Sequence, residues 1–135
     1  MLKAYKMNKA EFMLVNALRN GKYIQGFEAL RLKTTSNKYK YCCLGVACNV
    51  LYNNPHWTLD EKSYWIGNNN SKLTKEITKK LQWNDSEGKL SIKSINGMPL
   101  NLAMLNDSRE FTFDQIADII QAGLILHKGD KYESY

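Results

Sequence analysis

Very little in this chain advertises a chemistry. Its 135 residues include only two prolines, eight glycines, two histidines and three cysteines. So little proline and glycine, beside many Tyr, Trp and Phe, argues against a disordered or fibrous chain and for one that folds on its own. No window approaches the roughly 18 apolar residues that span a bilayer, and "MLKAYKMNKAEF" has neither an apolar h-region nor a small-residue cleavage site. The expectation is neither membrane contact nor secretion. An odd number of cysteines, two of them adjacent, excludes a disulfide framework, because Cys42 and Cys43 can join only through a strained vicinal bridge. All three read as thiols in a reducing cytoplasm.

Further absences remove whole classes of function. There is no G-x-G-x-x-G and no G-x4-G-K-[ST], so no glycine-rich loop cradles phosphate. There is no C-x2-C or H-x3-H pair, and on a helix Cys43 and Cys48 stand about 500° round the axis, roughly 140° apart, too divergent for one ion. No metal and no cofactor is expected. A cysteine nucleophile at Cys42 or Cys43 would gain from a helix N-terminus and from Lys38 and Lys40 nearby. Its base is missing: His56 lies beyond the far end of a helix roughly 16 Å long, and His127 falls in a polar tail. "SREFTFDQIADII" suits the first helix of a helix-turn-helix, but no reading helix follows Gly123. If 113 to 122 is itself the reader, it carries Asp114 and Asp118 and no cation, and so repels phosphate.

What the chain does have is length enough for a core, burying roughly two thirds of its unfolded surface, and a lopsided charge. Residues 1 to 40 hold nine Lys or Arg against Glu11 and Glu28, a balance of +7; residues 41 to 135 hold ten against eleven, a balance of −1. Such a face meets an anion or is merely solvated. Within it, Lys22, Tyr23, Gln25, Arg31, Lys38, Lys40 and Tyr41 form the candidate ligand-binding set, the tyrosines stacking on a base or ribose while the cations meet phosphate. The implied partner is a nucleotide or other small anion, with a host protein or single-stranded nucleic acid as alternatives. A homo-oligomer is compatible with the sequence.

Periodicity gives an α+β fold: one mainly helical domain over 1–135, with four to five helices, a small antiparallel hairpin or sheet, and a mobile tail from 127. Asn8 and Glu11 form a capping box for a first helix that ends at Asn20-Gly21; Met7 staples onto Phe12, and Phe12, Val15 and Leu18 make its buried stripe. A short strand is expected at Tyr39 to Tyr41, after a polar loop from Thr34 to Lys38. A second helix runs from near Cys42 to before Asn53-Asn54-Pro55, apolar round most of its circumference and therefore central. Residues 55 to 70 read as irregular, with an aromatic cluster of Trp57, Tyr64 and Trp65 and a turn at "GNNNS". Helices follow at Thr74 to Gln82 and Leu102 to Leu105, and a last one is capped by Thr112 and Gln115 and stopped by Gly123. Between them "LSIKSINGMPL" is a hairpin, with Asn96-Gly97 in a type I′ turn and Pro99 confining the second arm to an edge.

Three blocks, "ALRNGKYIQGFEAL", "YCCLGVACNVL" and "LAMLNDSREFTFDQIADII", together resemble a family of small uncharacterised bacteriophage and prophage proteins. The motif positions are Gly21, Tyr23, Gln25, Gly26, Cys42, Cys43, Gly45, Asn106 and Asp107. The resemblance implies a phage origin and a compact domain and supplies no catalytic residue. It also implies an acidic residue after the last cysteine of the second block, where this chain has Asn49. Small phage accessory proteins often oppose host defence, so the leading expectation is a non-enzymatic protein in the host cytoplasm that sequesters a nucleotide signal. A cysteine-dependent enzyme is the remaining alternative.

Overall fold

A computed structural model describes residues 5–34, 38–52, 55–60, 63–66 and 69–130, the side chains of 60 and 63–65 excepted. Five helices are present: α1 (Lys9–Arg19), α2 (Cys43–Leu51), α3 (Lys75–Leu81), α4 (Leu102–Asp107) and α5 (Phe113–Gln121). The strands are β1 (Ile24–Gln25), β2 (Arg31–Lys33), β3 (Tyr39–Tyr41), β4 (Thr58–Asp60), β5 (Ser63–Trp65), β6 (Lys89–Lys93) and β7 (Pro99–Asn101). The expected α+β class holds.

Local signals placed the helix ends well. Asn8 with Glu11, and Thr112 with Gln115, form reciprocal capping boxes, so each helix starts with two of its orphan N–H groups satisfied. Thr74 caps α3, and Gly123, with φ +76°, follows the C-cap Ala122 of α5. Seven of the nine residues of α2 are buried, and the helix touches α1, α3, α4 and β3, which makes it the axle of the core. Gly45 is required there: a Cβ would stand 1.7 Å from the carbonyl oxygen of Leu30.

Five strands form one sheet in the order β1-β3-β2-β5-β4, parallel between β1 and β3 and antiparallel elsewhere; β6 and β7 form a separate hairpin. Four expectations are corrected. Phe12 is 54 % exposed, and the buried face of α1 is Glu11, Leu14, Val15, Ala17 and Leu18, rotated toward a carboxylate that the core accepts because it is fully hydrogen-bonded. The stretch from 55 to 70 contains the β4–β5 hairpin, docked on β2 through Leu32 and Ser63; three-residue strands are too short to show alternation. Ile66 and Asn69 exchange both backbone hydrogen bonds, while Gly67 and Asn68 of the expected turn lie outside the described residues, as do Ser36 of the polar loop, Asn53, Asn54 and the side chains of Tyr64 and Trp65.

The third correction concerns the β6–β7 turn. Only Gly97 there has a positive φ, the Gly97 N–H bonds the Ser94 carbonyl, and the Ser94 N–H bonds the Met98 carbonyl. That is a three-residue loop of a type I turn followed by a left-handed glycine, which closes the hairpin without the second positive φ a type I′ turn needs. The fourth is the tail. Trp83 bridges to His127, Leu90 bridges to Ile125, and the Lys128 N–H bonds the Gln82 carbonyl, so the chain after α5 is paired through Lys128; residues 131–135 lie outside the described residues.

Candidate functional site

The three blocks of the resemblance converge on one buried amide. Asn106, at the end of α4, is fully buried. Its Oδ1 accepts from the Cys43 backbone N–H (3.1 Å) and from Gln25 Nε2 (3.0 Å), and its Nδ2 donates to the Gly26 carbonyl (2.9 Å) and Asp107 Oδ1 (3.2 Å). Asp107 Oδ1 in turn accepts the N–H of Glu28, a non-glycine residue held at φ +71°. Gln25, expected to face a ligand, instead spends its amide nitrogen on Asn106 and the Phe111 carbonyl (2.9 Å). The N-terminus of α2 is likewise taken: Asn106 holds the Cys43 N–H, and Cys42 Sγ accepts from the Gly45 N–H at 3.4 Å. An anion seated there would have to displace these acceptors.

All three cysteines are buried thiols. Burial pushes Cys42 and Cys48 up to about 12 and raises Cys43 well above its ordinary value. A thiolate nucleophile needs the opposite shift.

Strand alternation divides the remaining candidates. Successive side chains on a strand point to opposite faces. Tyr41 pairs with Arg31 and Tyr39 with Lys33, so these four share one face; Lys40, paired with Ile24, projects from the other, and both are exposed. Lys22 and Lys38 are also exposed, outside the strands. On the first face the Arg31 guanidinium lies 3.6 Å from the ring centroid of Tyr39, with Tyr41 and Trp57 at 5.8 and 5.5 Å. Tyr23 and Trp57 meet Tyr41 edge to face at 5.0 and 6.3 Å. Asn49 of α2 locks this cluster: its Oδ1 accepts from Trp57 Nε1 (3.2 Å) and its Nδ2 donates to the Tyr23 hydroxyl (2.8 Å). Indole nitrogen only donates, so the amide orientation is forced, and the Tyr23 proton is left for another acceptor. Tyr23, Arg31 and Tyr41 are thus brought together, while Lys22, Gln25, Lys38 and Lys40 do not join them. Arg19, basic and nearby in sequence, is bound instead to Asp118 at 2.7 Å and to Gln121 at 2.8 Å on α5.

A second site had no counterpart in the sequence reading. Glu11 is fully buried, and four donors converge on its carboxylate: Tyr5 OH (2.6 Å) and the Asn8 N–H (3.0 Å) on Oε1, Trp83 Nε1 (2.9 Å) and His127 Nε2 (2.8 Å) on Oε2. The Tyr5 hydroxyl also stands 2.8 Å from His127 Nε2, and its ring stacks on the imidazole at 5.5 Å. Tyr5 has one proton and gives it to Glu11, so the Nε2 proton of His127 is shared between Glu11 and the Tyr5 oxygen. Burial, with the Glu11 carboxylate second, holds the Tyr5 phenol above its ordinary value. Above this cluster opens a cleft of about 780 Å³, lined by Lys75, Thr78, Lys79 and Gln82 of α3 and its cap, by the loop Asn84 to Ser86, and by His127 and Lys128.

Among the described residues, no group of three or more His, Cys, Asp or Glu is placed to hold a metal ion, and no helix is long and apolar enough to cross a membrane. Compared with known families, residues 7–124 match one described as a domain of unknown function (DUF8296). The chain belongs to this family. The matched span takes in α1 through α5 and stops before His127, so the Asn106 junction and the tyrosine face lie inside the family domain while part of the Glu11 cluster lies beyond the match. Neither a curated protein nor a solved structure matches the chain.

Two local features of the second site are visible in the sequence, and only one of them points to a surface. Glu11 sits three residues after a cap and so reads as a capping carboxylate, which it is; only the tertiary contacts of Trp83 and His127 make it a buried hub. The other signal is the α3 stripe Lys75, Thr78, Lys79, Gln82, spaced 3, 1 and 3, which puts two lysines on one helical face.

Proposed function

We propose that the protein binds an anionic partner without catalysing a reaction, and that the ligand class is a nucleotide held on the tyrosine face of the five-stranded sheet. One observation carries this: Arg31 and Lys33 share a strand face with Tyr39 and Tyr41, and Asn49 fixes the ring cluster that Arg31 stacks on. An aromatic platform with cations at its edge offers a base something to stack on and a phosphate something to pair with. Tyr39, 37 % exposed, is the most solvent-accessible ring of the group. Lys22, Lys38 and Lys40 then act at longer range, through the field of the basic N-terminal region. In this reading the protein is a phage- or prophage-encoded accessory protein in the host cytoplasm, the origin that the family resemblance implies, and it sequesters a nucleotide signal of host defence, as small phage accessory proteins often do. The cysteine-enzyme alternative draws no support from buried thiols with raised pKa values.

Isothermal titration against cyclic and ADP-ribose-type nucleotides tests this reading. Saturable heat is expected for at least one, weakened about fivefold or more by Tyr39→Ala, since base stacking on one ring contributes about 1–3 kcal/mol. No heat from any member removes the nucleotide reading. Binding to single-stranded nucleic acid that collapses steeply with salt would replace it with the alternative.

A further inference from the structure

We infer that the cleft between α3 and the His127–Lys128 segment is a separate binding site for a small phosphorylated molecule. Its volume of about 780 Å³ falls within the roughly 300–1,000 Å³ of small-ligand sites. Three lysines line it: Lys75 and Lys79 one turn apart on α3, and Lys128 across the opening. Among the described residues none of the three has a carboxylate within ion-pair distance, whereas Lys72 nearby is paired with Glu87. The one acid in the lining, Asp85, is turned into its own loop, where Oδ1 accepts from the backbone N–H groups of Glu87 (3.2 Å) and Lys89 (3.0 Å). The cleft therefore presents an excess of positive charge, with Thr78, Gln82, Asn84 and Ser86 as neutral hydrogen-bonding groups.

The two walls are joined to each other at the floor of the cleft. The Asn84 N–H bonds the Leu126 carbonyl and the Lys128 N–H bonds the Gln82 carbonyl, which ties the two sides of the cleft by backbone pairing. Below them Trp83 and His127 are fixed by Glu11. A preformed cavity loses less on ordering when a ligand binds than a mobile one does. Lysine is a point charge with rotatable donors, suited to phosphate oxygens in varied orientations, so the ligand class is a phosphate or diphosphate group carried on a small body that fills the remaining volume.

Backbone amide NMR during titration with inorganic pyrophosphate, and separately with a nucleoside diphosphate, decides this. Saturable shifts confined to residues around 75, 79, 82, 84, 86 and 128 are expected, and Lys75→Ala combined with Lys79→Ala weakens binding by about tenfold or more. A Lys6→Ala, Lys9→Ala control leaves it unchanged, as does Tyr39→Ala, so this cleft and the tyrosine face stand or fall separately. Tighter binding of the nucleoside diphosphate than of pyrophosphate shows that the cleft holds the organic body; equal affinity reduces the site to one for the phosphate group alone. No saturation at millimolar pyrophosphate, shifts spread evenly over the surface lysines, or an equal loss in the control overturns the inference.

Discussion

Glu11 and Asn106 are the two fully buried polar side chains among the described residues, and they are buried for different ends. Asn106 is neutral and self-contained: two acceptances and two donations join the β1 loop, the N-terminus of α2 and the end of α4, and every partner belongs to the fold. Glu11 is an acceptor only, surrounded by four donors, and two of those donors, Trp83 and His127, also line a cleft. Both satisfy the rule that buried polar groups are paired, yet only the second couples a core residue to a surface where something can bind. A polar hub in a core is therefore not in itself a functional site; what matters is whether any member of its network reaches an opening.

The largest expected effect breaks the Glu11 side. Glu11→Ala removes the shared acceptor of Tyr5, Asn8, Trp83 and His127, and leaving buried donors without partners destabilises by about 3–5 kcal/mol. Urea unfolding followed by tryptophan fluorescence measures this. Glu11→Gln sharpens it: the amide keeps the shape but turns two N–H groups toward converging donors, so it should recover little of the loss. A glutamine variant of near wild-type stability would show that acceptor count is not what Glu11 supplies.

Next comes the neutral hub. Asn106→Ala strips a partner from the Cys43 N–H, the Gly26 carbonyl and the Gln25 amide, and should cost about 2–4 kcal/mol in the same unfolding experiment. It should leave the pyrophosphate shifts at the α3 cleft in place under conditions where the variant is folded, whereas Glu11→Ala should alter them. Equal effects of the two substitutions at the cleft would erase the distinction.

The last effect leaves neutral pH untouched and appears only in alkali. Unfolded thiols lose their protons near pH 8.5, while Cys42 and Cys48 keep theirs in the fold to about 12 and Cys43 is raised in the same direction. Above pH 8.5 the unfolded chain thus binds fewer protons than the native one, and stability falls as pH rises toward 12, by up to about 1.4 kcal/mol per pH unit for each thiol. Below pH 8.5 these groups contribute no slope. Urea midpoints at pH 8, 9 and 10 in the presence of a reductant check the trend, and replacing Cys48 with Ala should make it shallower. A flat profile would place the thiols in contact with water, which would reopen the nucleophile reading.

Helix ends were the most legible part of the fold, because capping is a contact between residues three apart. The Asn8–Glu11 and Thr112–Gln115 boxes could be read directly, and so could the burial of α2 from its nearly continuous apolar surface. The β4–β5 hairpin was not legible in three-residue strands, and the tail's pairing with Trp83 and β6 was not, since neither has a local pattern. In the candidate site, the basic and aromatic residue types are visible in the sequence, but their grouping is not. Lys40 stands between Tyr39 and Tyr41 in sequence and on the opposite face of the sheet in space.

Composition, capping and periodicity, all short-range, were enough to determine a single α+β domain with a central apolar helix and unbridged thiols. Tertiary structure alone decided the rest: that Gln25 and the α2 N-terminus are consumed by Asn106, that Arg31 rather than Lys40 joins the tyrosines, and that Glu11 meets Trp83 and His127 from far along the chain. The physical reason is that a hydrogen bond or a stacked ring depends on distances between atoms in space, and residues 72 or 116 positions apart leave no trace of that distance in their spacing.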